Sequence, residues 1–200
     1  MITCFFGLPG AGKSSMLTKI ARKEIKRIER GKSPYKMVLS NYYIEGCYEF
    51  SFEDLGVYDM DNCLVLLDEL TLDADSRDFK SFNRNLKEFF IMHRHYGVDI
   101  VYATQQYDGV DKKIRDLTHD LYYLKKAGQF SFATAIFRTI AFTEESDIKY
   151  GYRPPSIFAI LFDAKHNIKL CFRPFYYKYF DSFEHKKLPH KRFLKYENKL

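Results

Sequence analysis

The sequence predicts an α/β fold: a mainly parallel sheet covered by helices on both faces and extended at one edge by antiparallel strands. Three observations carry that reading. Short apolar runs such as CLVLL and DIVYA lack polar alternation, as strands buried on both faces do. Between the runs, apolar residues recur every three or four positions, as in helices that cross over a parallel sheet. After Gly128 the helical spacing gives way to long stretches rich in Phe, Ile and Thr, which read as strands joined by turns.

Taken in order, Ile2 to Gly7 is the first strand. Lys13 to Arg30 is a helix with Leu17, Ile20, Ala21, Ile25 and Ile28 on its apolar face, Arg22, Lys23, Lys26 and Arg30 outside it, and Gly31 closing it. Tyr35 to Asn41 is a second strand, followed by an irregular aromatic region to Asn62 and the buried strand NCLVLLDEL. Phe79, Phe82, Leu86, Phe89 and His93 mark a helix that ends at Gly97, and VDIVYATQQ is the next buried strand. Val110 to Thr118 is a short helix and DLYYLKK, from Asp120, a further strand. FSFATAIFRTIAF and SIFAILFDAKHNIKLCFRP are read as antiparallel additions, with Asp163 to Asn167 as a hairpin connection. No repeat or linker divides the chain, so the expectation is one domain over 1–182 with a basic C-terminal extension over 183–200.

Two hundred residues bury a sizeable core without disulfide or metal staples. Cys4, Cys47, Cys63 and Cys171 are far apart and form no CxxC pair, so they read as thiols of a reducing compartment. No signal peptide precedes the first strand, and the most apolar stretch, Ile157 to Phe162, is too short to cross a bilayer. These features predict a soluble intracellular protein. Six Lys or Arg against two Glu in the last eighteen residues hold +4 of the net charge of +6, so the body is close to balanced and only the tail is basic.

Gly7, Gly12, Lys13 and Ser14 match GxxxxGK[ST], and they lie between a predicted strand and a predicted helix, the context that this motif needs. Glycines let backbone N–H groups turn inward around phosphates, and the helix N-terminus adds its positive dipole. Gly7, Pro9, Gly10, Ala11, Gly12, Lys13, Ser14 and Ser15 are therefore the predicted nucleotide-binding residues. Lys13 would reach the outer phosphates of ATP, and Ser14 would offer an oxygen to Mg²⁺.

The run LVLL ends in Asp68 and Glu69. Ligands of a parallel sheet lie beyond the carboxyl ends of its strands, so Asp68 would arrive beside the loop and hold the metal through water. Glu69 would face the γ-phosphate and polarise an attacking water. VYATQQ would lie next to the first strand and bring the Gln105 amide to the same edge. Arg115, on the segment after Gln106, is the candidate for an arginine that completes a neighbouring subunit's site, because Lys13 is the one cation placed on the γ-phosphate from within the subunit. A surface salt bridge is the alternative for Arg115.

GLPGAGKS, LLDE, FFIMHRHYGVDIVYATQQ with IRDL after it, and the closing YYKYFDSFE resemble the zonular occludens toxin family, the ATPase domain of filamentous-phage assembly proteins. HRHYGVDIVYATQQ is the most specific part. The resemblance implies a P-loop NTPase of the RecA type, related to the FtsK and HerA motors, in a three-layer sandwich. It also implies a homo-oligomeric ring that powers extrusion of phage DNA and coat protein, with phage assembly or membrane proteins as partners and phage single-stranded DNA as an indirect one. The implied location is the cytoplasm, at the inner face of the host inner membrane. Such proteins normally continue into a membrane-spanning helix, so the chain is expected to be the soluble part of a longer protein or a variant that relies on a membrane partner.

Other features have plainer readings. Asp73, Asp75 and Asp78 read as a solvated loop, and His93, Arg94 and His95 as structural or subunit-contact residues at the edge opposite the nucleotide. Between Lys186 and Lys199 basic residues interleave with Leu188, Phe193, Leu194 and Tyr196, which suits an anionic membrane surface or a partner's acidic face as well as a solvated tail. The alternative function is a P-loop nucleoside kinase of thymidine-kinase-like type, which shares the early loop and a strand ending in DE but usually has paired zinc cysteines. A nucleotide-dependent scaffold without turnover is a third class.

Overall fold

The computed structural model describes residues 1–70, 84–142 and 148–181. The acidic loop with Asp73, Asp75 and Asp78, the first part of the predicted helix from Phe79, and the basic tail lie outside the described residues.

In chain order the elements are β1 (Ile2–Phe6), α1 (Lys13–Glu29), β2 (Met37–Ser40), β3 (Tyr48–Glu49), β4 (Cys63–Leu67), α2 (Arg84–Met92), β5 (Asp99–Thr104), α3 (Lys112–Leu117), β6 (Asp120–Ala127), β7 (Phe130–Phe142), β8 (Ile148–Arg153), α4 (Ile157–Phe162), α5 (Ala164–Asn167) and β9 (Ile168–Phe172). The strands make one sheet in the order β3-β2-β4-β5-β1-β6-β7-β8, with β9 also paired to β7. From β3 to β6 every pairing is parallel, whereas β7 runs antiparallel to β6, β8 and β9. The predicted α/β class, with a parallel centre and an antiparallel edge, is the observed one.

The central strands lack polar alternation because both of their faces are covered. In β5, Ile100 and Tyr102 pack with Leu86, Phe89 and Phe90 of α2 and Ile114 of α3, while Val101 and Ala103 face Met16, Leu17, Ala21 and Ile25 of α1. Alternate residues of one strand thus enter two cores, the sandwich expected of period-two geometry. Gly31 ends α1 at φ +64°, its N–H donating to Ile28 O at 2.9 Å while Lys32 N–H reaches Arg27 O at 2.8 Å.

The structure corrects the region after Arg153. SIFAILF was expected as a strand and DAKHN as a hairpin connection; they form two short helices instead. Ser156 Oγ accepts from Ala159 N–H, Asp163 Oδ1 accepts from His166 N–H, and the buried Asn167 amide donates to Ala159 O and Asp163 O. These caps start each turn. Beside β7 both slots are already filled, by β8 along its second half and by β9 along its first. Ile157, Phe158, Leu161 and Phe162 consequently remain 73–89% exposed. Among the described residues, no helix is long and apolar enough to cross a membrane.

Candidate functional site

The loop between β1 and α1 is held by close packing that only glycine permits. Gly7 lies against β6, where an added Cβ would stand 2.4 Å from Leu124 O. Gly12 adopts φ +93°, and its Cβ would meet Ser131 Oγ at 2.2 Å. Ser131, fully buried in β7, donates to Ala11 O at 2.6 Å. The antiparallel edge therefore braces the loop from behind. Lys13 is buried, and its ammonium donates to the carbonyls of Gly7 at 3.1 Å and Leu8 at 3.4 Å. A buried ammonium whose hydrogen bonds go to neutral carbonyls is ready for an anion.

Parallel β4 delivers the two acids to the same edge. Ser14 Oγ donates to Asp68 Oδ2 at 2.5 Å, and the Asn41 side chain brackets the Asp68 backbone with bonds of 3.0 and 2.8 Å. Burial raises the Asp68 pKa above the ordinary carboxylate value, the Ser14 hydrogen bond and the Lys13 charge oppose that rise, and the neighbouring Glu69 charge adds to it. A half-buried acid touching a serine hydroxyl is a donor set that fits Mg²⁺, an ion that takes few protein ligands and completes its shell with water and phosphate oxygens. Among the described residues there is no group of three or more His, Cys, Asp or Glu able to hold a metal without such help.

Glu69 sits at φ +53°, uncommon for a residue with a side chain. Its carboxylate receives Gln105 N–H on Oε1 and Gln105 Nε2 on Oε2. Pro9, Gly10, Gly12, Lys13, Ser14, Ser15, Asp68, Glu69 and Gln105 line one cleft of about 450 Å³. Gly7 and Ala11 support it from the loop interior.

Arg115 does not join this group. Its Nη1 pairs with Asp108 at 3.1 Å, and its guanidinium lies 5.9 Å from the Tyr107 ring centroid. His93 is buried just after α2, its Nδ1 at 2.7 Å from Phe90 O and its carbonyl accepting from Val98 N–H, and Arg94 contacts His119. Asp99 and His119 bond the chain's first two residues, so this is the edge opposite the loop.

Sequence reasoning missed three further lining residues, Arg173, Tyr177 and Phe180, which follow β9. The aromatic spelling YYKYF was visible, but nothing local marks it as part of a phosphate site.

Sheet order and phosphate loop together define a P-loop NTPase. The chain belongs to the zonular occludens toxin (Zot) family, whose profile matches residues 19–158. That segment holds Asp68, Glu69 and Gln105 and begins beyond the phosphate loop. The N-terminal domain of zonular occludens toxin from Neisseria meningitidis is similar in structure, with a TM-score of 0.55 and 18% identity over 80% of this chain and 96% of that one. A looser match is the genome packaging NTPase B204 from Sulfolobus turreted icosahedral virus 2, solved with ATP-gammaS, at a TM-score of 0.49 and 11% identity over 78% of this chain and 98% of that one. No curated protein matches the chain by sequence.

Proposed function

We propose that the protein is a Mg²⁺-dependent ATPase that drives assembly and extrusion of a filamentous phage or related mobile element. One observation carries the reading: a buried ammonium, a serine–aspartate pair and a glutamate–glutamine pair converge on a single cleft at the carboxyl edge of the sheet. Lys13 exchanges its two carbonyl partners for the outer phosphate oxygens, and the backbone N–H groups of the loop surround the remainder. Ser14 and Asp68 would hold Mg²⁺, which when bound supplies charge neutralisation at the phosphates. Glu69, oriented by Gln105, accepts the proton of the attacking water. The motor part of the reading rests on Zot membership. It includes a homo-oligomeric ring at the cytoplasmic face of the host inner membrane, acting with phage assembly proteins.

The experiment is phosphate release from ATP, with and without Mg²⁺, by the wild type and Lys13→Ala, together with phage release from a host carrying each allele. Wild-type turnover that needs Mg²⁺, absent turnover in Lys13→Ala and phage DNA retained inside the Lys13→Ala host are expected. Normal phage release by the Lys13→Ala host would overturn the motor reading.

A further inference from the structure

We infer that the segment Arg173 to Phe180 is the second wall of the nucleotide site, with Tyr177 as a stacking platform for the base and Arg173 as a ligand of the phosphates; the inference rests on the ATPase reading above.

Arg173 is 9% exposed, and its Cδ lies against Gly12, where an added Cβ would stand 2.6 Å away. Its Nη2 donates to Gly128 O and its Nη1 reaches Gly10 O only at 3.4 Å. Its Nε is buried with no hydrogen-bond partner among the described residues. A buried guanidinium with an orphan donor, whose hydrogen-bond acceptors are two neutral carbonyls, is incompletely compensated, and phosphate oxygens are the acceptors whose geometry its fork matches.

The segment is anchored at both ends. Arg173 N–H bonds Gln129 O, and at the far end Phe180 bridges Ile44 while Glu45 N–H donates to Tyr179 O at 2.9 Å. It therefore crosses from behind the loop to the connection after β2. The cleft is lined by Glu69 and Gln105, which follow β4 and β5, and by Arg173, Tyr177 and Phe180 of this segment. A triphosphate whose reacting end points to Glu69 leaves its nucleoside to the rest of this lining, where the segment after β9 supplies the aromatic side chains. There the Tyr177 ring is 51% exposed and meets the buried Phe180 edge-on at 6.4 Å, and Phe180 is braced in turn by Tyr42. A braced ring with an open face stacks any base, because every base has a π-face. The site should take nucleotides without strong choice between bases, adenine and guanine included.

The test is calorimetric titration of the full chain with ATP, GTP and inorganic tripolyphosphate, the last lacking the base. Tyr177→Ala should weaken ATP and GTP by at least about fivefold and leave tripolyphosphate within about twofold, and Tyr177→Phe should behave as wild type. Arg173→Gln should weaken all three ligands by a similar factor, with Arg173→Lys recovering part of the loss. Equal losses of ATP and tripolyphosphate in Tyr177→Ala, or undiminished ATP binding, would overturn the base platform. Unchanged tripolyphosphate binding in Arg173→Gln would make Arg173 a tie between Gly10 and Gly128 only. Failure of the wild type to bind ATP would instead sink the ATPase reading itself.

Discussion

Gln105 holds the Glu69 carboxylate twice, with its backbone N–H on Oε1 at 3.2 Å and its side-chain Nε2 on Oε2 at 3.1 Å. Each residue follows one of two adjacent parallel strands, so the pair reports their alignment. Glu69→Gln should retain ATP binding and lose turnover by at least about 100-fold, since the proton acceptor is gone. Gln105→Ala keeps the backbone bond and should lose about tenfold in turnover with little change in ATP affinity. A Glu69→Gln enzyme with normal phosphate release would remove Glu69 from the chemistry.

Asp68 should be a stability liability in the nucleotide-free protein. Its folded-state pKa is raised above the ordinary aspartate value, chiefly by burial, so the fold favours the protonated acid. That contribution is fully present below the unfolded value and is lost as the pH rises through the folded one, leaving a penalty at neutral pH. Asp68→Asn preserves an acceptor for Ser14 and should raise the unfolding midpoint at pH 7, by about 2–4 °C for each kcal/mol relieved, while removing Mg²⁺-dependent turnover. Scanning calorimetry at several pH values checks this: the gain should shrink toward about pH 4, and a midpoint below wild type at pH 7 contradicts it.

Ser131→Ala should injure the phosphate loop from a distance of 120 residues in sequence. The substitution leaves the Ala11 carbonyl without its buried donor, at a cost of about 1–3 kcal/mol. Unfolding measured with and without ATP should show a lower midpoint and a smaller stabilisation by ATP. An unchanged ATP-induced shift would mean that the loop keeps its form without that bond.

The ion pair of Arg115 with Asp108 is a weak tie on its carboxylate side. Asp108 is 93% exposed, and pairs of that kind contribute at most about 1 kcal/mol. If Arg115 serves a neighbour's site, Arg115→Ala should lower turnover at least about tenfold with ATP affinity kept, and mixing it with Lys13→Ala protein should restore activity. Sedimentation of the same samples reports the assembly. A mixture that stays inactive while assembled excludes Arg115 from that role.

The parallel half of the fold was legible because buried strands and amphipathic helices write their periods locally: CLVLL, DIVYA and the stripe of α1 each declared their element. So did the loop, since GLPGAGKS stands between a strand and a helix, and the strand ends gathered Asp68, Glu69 and Gln105 without further information. What escaped depends on contacts across the chain. SIFAILF looks like a buried strand until the slots beside β7 are seen to be occupied, and its apolar side chains then face solvent as a helix. Arg173 has no local signature, because its importance comes from lying against Gly12.

The meeting of residues 11 and 12 with residues 131 and 173 also sets a clock. During synthesis at about 5–20 residues per second, roughly 8–30 s separate the glycine loop from the arginine that packs on it. Until then the loop lacks its rear support, and the nascent chain has no finished pocket in which to engage nucleotide. A cleft lined by Arg173 is therefore complete only after β9, the last strand among the described residues, has been made and can pair with β7.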